Sequence, residues 1–210
     1  MVSLGLLAAL EVDERFRPGD LATGLGESMR VTVRVLGPSW VKVDHVVLFA
    51  NGTVLREARL DSRDQPTPEK ARVTWTIPRP SHDVALVAVA SGPAATQPFW
   101  PIPRPYQPTS IDWQPRVLSL TNPVRIDGDA NATWNSPRYY AQFLIEIFGT
   151  EPTGLLRMLA GYDEAVAAQT AAFLLPPGQT AFDEAYTKAL ETATEPVRRG
   201  FEAFVGSLKP

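Results

Sequence analysis

The feature that most constrains this fold is a change in hydrophobic periodicity near residue 135 of the 210-residue chain. Before that point, apolar residues recur at every second position, as in Val31 to Val35, which is typical of strands with one buried face. After it, apolar residues recur every four positions, as in Tyr139, Phe143 and Ile147, which is typical of helices. The pattern therefore predicts strands first and helices afterwards.

The strand region contains a clear hairpin signal. Asn51-Gly52 follows an apolar run from Val41 to Ala50 and precedes another from Val54 to Leu60, and Asn-Gly favours a tight turn with positive φ at both residues. Short strands separated by turn residues predict a β-sandwich of the Ig-like or fibronectin-like kind over residues 1–126. Further strands are predicted over Val73–Ile77 and Val84–Ala90, the latter central, and a last strand pair is predicted over Arg116–Leu120 and Val124–Ile126.

The apolar start, Met1 to Leu10, has no basic leader and no small-residue cleavage site before Glu11. It therefore predicts a buried strand rather than a convincing signal peptide, and it hints that Met1 is internal to a longer parent. The sequence contains no run of 18 apolar residues, so no membrane span is predicted. A net charge of −3 gives no indication of nucleic-acid binding.

The helical tail is predicted over residues 136–210, after a linker loop at 127–135. Ser136 is a good capping residue, Pro137 suits the first helical position, and Gly149 is a helix terminator. Acidic residues at the predicted starts of later helices complement the helix dipole. Four more helices are predicted around Leu155–Leu159, Asp163–Leu174, Phe182–Leu190 and Val197–Leu208.

The chain contains few groups for metal or nucleophilic catalysis. It has no cysteine and two histidines, His45 and His82. A catalytic zinc typically takes three protein ligands, so these two would need carboxylates to complete a site. Ser81-His82-Asp83 contains the residue types of a catalytic triad, but neighbouring strand residues point to opposite faces, which favours a turn before a strand. The sequence therefore predicts no catalytic residues and no enzyme activity.

The candidate metal site is the segment Asp127-Gly128-Asp129-Ala130-Asn131. Its oxygen side chains at alternate positions, Asp127, Asp129 and Asn131, resemble the opening of a calcium loop. The sixth position is Ala132 rather than glycine, and the twelfth is Arg138 rather than glutamate. The alternative is a turn held by Asx hydrogen bonds, with no bound cofactor.

The tryptophans leave glycan binding open as an alternative function. Trp40, Trp75, Trp100, Trp113 and Trp134 include candidates for an exposed stacking platform, although Trp75 alternates with apolar neighbours and is expected in the core. Residues 97–108 hold five prolines and predict a packed, extended strap anchored by Phe99, Trp100 and Tyr106.

Several segments in order resemble the region that follows the catalytic barrel in CehA/McbA-type metallohydrolases, a branch of the PHP superfamily. The resemblance covers residues 2 to about 135, and the helical tail is similar to an extension of larger members. The segments are Leu4–Leu7, Arg17–Asp20, Val33–Trp40 with Asp44, Phe49–Gly52, Arg56–Ala58, Val73–Pro80, His82–Val84, Leu86–Ala90, Phe99–Thr109, Thr121–Pro123 and Ile126–Asp129.

The resemblance implies a parent whose β/α barrel holds the catalytic metal ions, with its histidine-rich motifs upstream of this region. None of those ligands maps onto this chain. The expected function is a non-catalytic accessory module that packs against the barrel and presents an apolar surface to it. The alternative is a stand-alone module that binds glycans or a cell surface, through tryptophans or the Asp127 loop.

Overall fold

The computed structural model describes residues 1–61, 67–93 and 116–208. Over these residues, ten strands form a seven-stranded and a three-stranded sheet, and five helices follow. The protein is thus of mixed α/β composition with a helical C-terminal part. The strands are β1 (Val2–Leu4), β2 (Leu7–Val12), β3 (Leu21–Ala22), β4 (Ser28–Leu36), β5 (His45–Ala50), β6 (Thr53–Arg59), β7 (Glu69–Pro78), β8 (Val84–Pro93), β9 (Arg116–Leu120) and β10 (Val124–Ile126).

The large sheet is organised around β8, as its two-sided apolar sequence predicts. β5 pairs antiparallel with one edge of β8, and β6 continues the sheet through the hairpin at Asn51-Gly52. Both turn residues have positive φ, 48° and 90°, which confirms the predicted tight turn. On the other edge of β8 lie β9 and β10, which in turn pair with β1 and β3.

The small sheet has the order β2-β4-β7, with β4 in the centre. The inward-facing valines of β4 and the inward residues of β5 and β8 belong to one hydrophobic core, so both sheets bury a face against the same interior. Trp75 on β7 is half-buried and packs against that core, as expected. Core residues with no exposed surface include Val31, Val33, Val35, Val46, Leu48, Leu86, Ala88 and Ala90.

Two expectations about the strands are wrong. β9 and β10 do not pair with each other; both run antiparallel to β8, because Thr121 bonds to Ala88 through its amide and its hydroxyl and so keeps the chain running along β8. The start is not one buried strand. Gly5, with φ of 83°, interrupts it, and the chain passes from the exposed β1 in the large sheet to β2 in the small one.

The predicted helix starts are confirmed in the tail. Ser136 caps the first helix by accepting the Tyr139 amide, and Gly149 ends it with a φ of 73°. Asp163 and Asp183 cap two later helices in the same way. The helices are α1 (Pro137–Phe148), α2 (Pro152–Leu159), α3 (Glu164–Leu174), α4 (Glu184–Glu191) and α5 (Glu195–Ser207).

The helices have a hydrophobic core of their own. Leu144, Leu155, Leu159, Val197 and Phe201 are buried together in it. This second core lies in the tail predicted at 136–210, and residues 127–135 contain neither strand nor helix. The division into 1–126, 127–135 and 136–210 remains a prediction about domains.

Among the described residues, no helix is both long and apolar enough to span a membrane. The strap predicted at residues 97–108, with Phe99, Trp100 and Tyr106, falls outside the described residues, as does Trp113.

Candidate functional site

A dense cluster of polar side chains lies where the sheets meet the helices. Three loops from the strand region converge there: the turn before β8, the Asn51 hairpin turn and the segment 127–135. They face the first turns of α1 and α3. We call this cluster the junction.

Asp83 is the centre of the junction and has no exposed surface. Its Oδ1 accepts the Gly128 amide at 2.9 Å, and its Oδ2 accepts the Asn135 amide at 2.7 Å. Gly128 approaches the turn so closely that a Cβ there would lie 2.0 Å from the His82 carbonyl oxygen. One buried carboxylate therefore holds both ends of the loop that connects strands to helices.

The Asp127 carboxylate folds the loop back on itself. Its Oδ1 and Oδ2 accept the amides of Asn131 and Ala132, each at 3.0 Å. Ala130 and Ala132 both have φ of 62°, the left-handed conformation that a glycine adopts more readily. The sixth loop position thus has the conformation for which calcium loops use glycine, although an alanine occupies it.

Tyr140 of α1 connects the helices to this loop. Its hydroxyl accepts the Asp83 amide at 3.2 Å and donates to Oδ2 of Asp129 at 2.9 Å. Burial raises the pKa of Tyr140, and the hydrogen bond to Asp129 and the charges of Asp83 and Asp129 add to this, against the lowering effect of the Asp83 amide. Tyr140 is therefore a neutral donor at physiological pH.

Asp83, Asp127 and Asp129 could together hold a metal ion. Each contributes an oxygen, and these oxygens lie within 4.8 Å of one another. Carboxylate oxygens suit calcium. The Asn131 side chain is engaged within the loop, where its Oδ1 accepts the Thr133 amide and its Nδ2 donates to Asp129. The calcium site predicted at Asp127, Asp129 and Asn131 remains a prediction, and the observed Asx hydrogen bonds are those of the alternative turn.

Sequence reasoning missed Asp83 as a partner of the loop. It lies 45 residues before Gly128, and no local pattern joins them. The only signal at Asp83 was the Ser81-His82-Asp83 string, and those three side chains diverge. Ser81 Oγ donates to the Gly161 carbonyl at 3.2 Å, whereas Asp83 binds amides of the connecting loop, so no triad forms.

His82 contacts residues of the helical region, namely Asp163 and the rings of Tyr140 and Tyr162. Its Nε2 lies 3.1 Å from Oδ2 of Asp163, but the N–H direction misses the oxygen, so neither ring nitrogen makes a directed hydrogen bond. The rings of Tyr140 and Tyr162 lie 5.8 and 5.2 Å from the imidazole. Asn51 Nδ2 donates to the same Asp163 oxygen at 2.7 Å.

His45 lies far from the junction. Its Nε2 is 3.3 Å from Oε2 of Glu57 on the neighbouring strand. His45 is opposite Ser91, near one end of β8, while His82 precedes Val84 at the other end. Seven residues of strand separate those ends by ~23 Å. The two imidazoles therefore do not converge on one ion.

A second feature is an apolar groove at the opposite end of the sheets from the junction. It has a volume of about 670 Å³ and is open to solvent. β8 runs from the junction at Val84 to the groove end, where Gly92 pairs with Val117. The groove residues include Leu4, Leu6, Leu7, Leu36, Trp40 and Val117.

Trp40 is 46% exposed on this groove. Within residues 1–61, 67–93 and 116–208, no two tryptophan rings stack on each other. The Trp134 ring is instead covered by the Arg125 guanidinium at 5.8 Å. These residues thus present one exposed indole rather than a paired platform.

No family model, curated protein or solved structure matches this chain.

Proposed function

We propose that this chain is a non-catalytic accessory module of a metal-dependent PHP-type hydrolase, and that it packs against the catalytic barrel. In this proposal the strand region, residues 1–126, is an Ig-like or fibronectin-like sandwich. The single observation that carries the proposal is the open apolar groove at the end of the sheets remote from the helices.

The groove exposes large apolar side chains that a monomer leaves in water. Leu4 is 42% exposed, Leu7 39% and Trp40 46%, and they lie around one concavity. Fully burying a large apolar side chain contributes about 1.5–3 kcal/mol, so a partner that fills the groove gains substantial free energy. Contiguous exposed apolar surface of this kind marks interaction sites.

The position of the helices supports the same arrangement. They cover the junction end of the sheets through Tyr140, Asp163 and the loop held by Asp83. The end that carries the groove has no such cover among the described residues. A barrel would therefore bind at the groove end and leave the junction undisturbed.

Both histidines have structural surroundings, which supports a non-catalytic role. His45 pairs with Glu57, and His82 is buried beside Asp163. Because they lie at opposite ends of β8, a hydrolytic centre that uses both is excluded by geometry.

The test is direct binding between the purified chain and a CehA/McbA-type catalytic barrel, measured by isothermal titration calorimetry. We expect association with a negative heat-capacity change, the signature of apolar burial. Leu7→Asp should weaken binding at least about tenfold, because it places a charge in the buried groove. Val54→Asp, at a 54%-exposed position on β6, is the matched control and should bind normally.

Two results would overturn the proposal. One is the absence of measurable binding to the barrel encoded in the same reading frame or next to it. The other is hydrolysis of a metal-supplemented ester panel by the pure chain at rates that follow its concentration.

The second candidate function is a stand-alone glycan- or cell-surface-binding module, and the exposed Trp40 favours it. An indole at a groove rim can stack on a sugar ring. This function predicts retardation in a polysaccharide gel that Trp40→Ala abolishes. Unchanged migration across a panel of neutral and acidic polysaccharides would exclude it.

A further inference from the structure

The outer face of α1 has an apolar composition that the fold does not explain. Tyr140, Ala141 and Leu144 point inward and are buried, as expected of an amphipathic helix. On the outside, however, Tyr139 is 52% exposed, Phe143 43% and Ile147 59%. These three residues follow one another at four-residue spacing and form a stripe along the whole helix. We call it the α1 stripe.

The α1 stripe is ordered rather than a scatter of exposed residues. The rings of Tyr139 and Phe143 stack with centroids 6.3 Å apart and planes 11° from parallel. Together with Ile147, the two rings present an apolar strip to solvent. Water-facing helix positions are normally polar, so the strip marks a surface that is covered in the functional state.

A row of polar residues runs beside the stripe and indicates what covers it. Arg138 lies at the start of the row, Gln142 in the middle and Glu146 at the end. The Arg138 guanidinium lies 4.3 Å above the Phe173 ring, and Gln142 donates to Glu146 at 2.9 Å. Among residues 116–208, Arg138 has no carboxylate within ion-pair distance.

The stripe and this row are self-complementary under a twofold axis. If two α1 helices pack antiparallel with Phe143 near the axis, Tyr139 of each copy faces Ile147 of the other. In the same register, Arg138 of each copy lies about 3 Å along the helix axis from Glu146 of the other, an offset that their long side chains span. An interface related by a twofold axis requires such a patch, in which each residue finds its complement on an identical surface.

We propose that two copies of this chain associate through the α1 stripe in an antiparallel arrangement, with Phe143 at the centre and two symmetric Arg138–Glu146 pairs at the rims. The occupant of the stripe is a second copy of the chain, because both the apolar pattern and the charges complement themselves. The interface is remote from the apolar groove, so a dimer leaves both grooves accessible.

The test is sedimentation equilibrium of the full chain across micromolar concentrations. We expect a monomer–dimer equilibrium that Phe143→Glu abolishes, because the substitution places two carboxylates face to face at the axis. The groove variant Leu7→Asp is the matched control and should dimerise as the parent does. As a control for folding, circular dichroism of Phe143→Glu should show the helix content of the parent.

A charge exchange distinguishes this antiparallel geometry from nonspecific apolar association. Arg138→Glu alone and Glu146→Arg alone should each raise the dimer Kd about tenfold, since each creates two like-charge contacts. The double variant should restore the original Kd, and so should an equimolar mixture of the two single variants. Arg138→Glu places a negative charge near the start of α1, and Glu146→Arg places a positive charge near its end, so both substitutions suit the helix dipole. Unfolding of α1 would therefore not explain a weaker dimer.

A chain that stays monomeric up to the solubility limit would overturn the proposal. So would a dimer that Phe143→Glu leaves intact, or one in which the double variant is weaker than both single variants. Binding to the barrel is measured on the groove and does not depend on these results.

Discussion

Nε2 of His82 lies 3.1 Å from Oδ2 of Asp163, and this buried contact joins the turn before β8 to the first turn of α3. Asp163 also caps α3 through the Val166 amide and accepts a hydrogen bond from Asn51. One carboxylate thus serves the hairpin turn, the histidine and the helix terminus. Its ionisation is linked to the docking of the helices on the sheets.

Asp163 should make stability depend on pH below about pH 4. Burial is the largest influence and raises the pKa of Asp163, but the contact with His82, the Val166 amide and Asn51 together outweigh it, so the pKa is lowered. A carboxyl group whose folded pKa lies below the unfolded value of about 3.9 stabilises the protein above that pH, and the contribution is lost as the pH falls through the folded pKa.

Asp163→Asn removes this titration, so its free energy of unfolding should decline less steeply between about pH 5 and pH 3. Urea denaturation at a series of pH values measures this slope. A slope identical to that of the parent in Asp163→Asn would contradict the prediction.

Asp83→Ala should be among the most destabilising substitutions in the protein. It leaves the amides of Gly128 and Asn135 without their acceptor in the junction, which costs about 3 kcal/mol. Chemical denaturation measures the loss. Asp20→Ala removes an acceptor of the same kind from the exposed Arg17 amide, and water replaces it, so we expect a change below about 1 kcal/mol. Equal losses in both variants would be inconsistent with this view.

Ala132→Gly should stabilise the protein by about 1 kcal/mol, because the left-handed conformation at φ of 62° costs an alanine roughly that amount. Ala203→Gly, on the exposed face of α5, should have the opposite effect, a loss of about 1 kcal/mol. Thermal denaturation of the two variants measures whether stability rises in the first and falls in the second. A destabilised Ala132→Gly would show that the loop does not hold this conformation in solution.

Two glycines of α5 should respond oppositely to alanine. A Cβ at Gly200 would lie 2.5 Å from the Glu164 carbonyl oxygen and 2.6 Å from the Ala167 Cβ, so Gly200→Ala separates α3 from α5 and costs about 2 kcal/mol or more. A Cβ at Gly206 meets nothing within 4 Å, and Gly206→Ala should stabilise the helix by about 0.5 kcal/mol. Differential scanning calorimetry compares the thermal stability of the two variants. A Gly200→Ala variant as stable as the parent would contradict the close packing of α3 against α5.

The Asp127 loop should hold its fold without calcium. Its carboxylates already accept protein amides and the Tyr140 hydroxyl, so removal of metal leaves those bonds in place. We expect no measurable change in Tm between EDTA and millimolar calcium. A Tm that rises with calcium and not with magnesium, and loses that rise in Asp129→Ala, would instead establish the calcium site.

Much of the secondary structure follows from local chemistry in the sequence. Alternation at Val31–Val35 predicts β4, Asn51-Gly52 predicts the hairpin, and Ser136-Pro137 predicts the start of α1. These signals succeed because strand pleating, positive φ and helix capping involve residues only a few positions apart. The same locality explains the error at β9 and β10, whose sequences do not reveal that Thr121 keeps both on one edge of β8.

By itself, then, the sequence determined where strands give way to helices, because periodicity is a property of neighbouring residues. Only the tertiary structure decided that Asp83 holds the loop at Gly128, that Leu7 and Trp40 line one groove, and that Tyr139 and Phe143 stack in open solvent. Each of the first two joins residues tens of positions apart, and the third depends on which face of α1 the neighbouring helices leave uncovered. Such relationships depend on how whole helices and strands pack, and no short stretch of sequence encodes that packing.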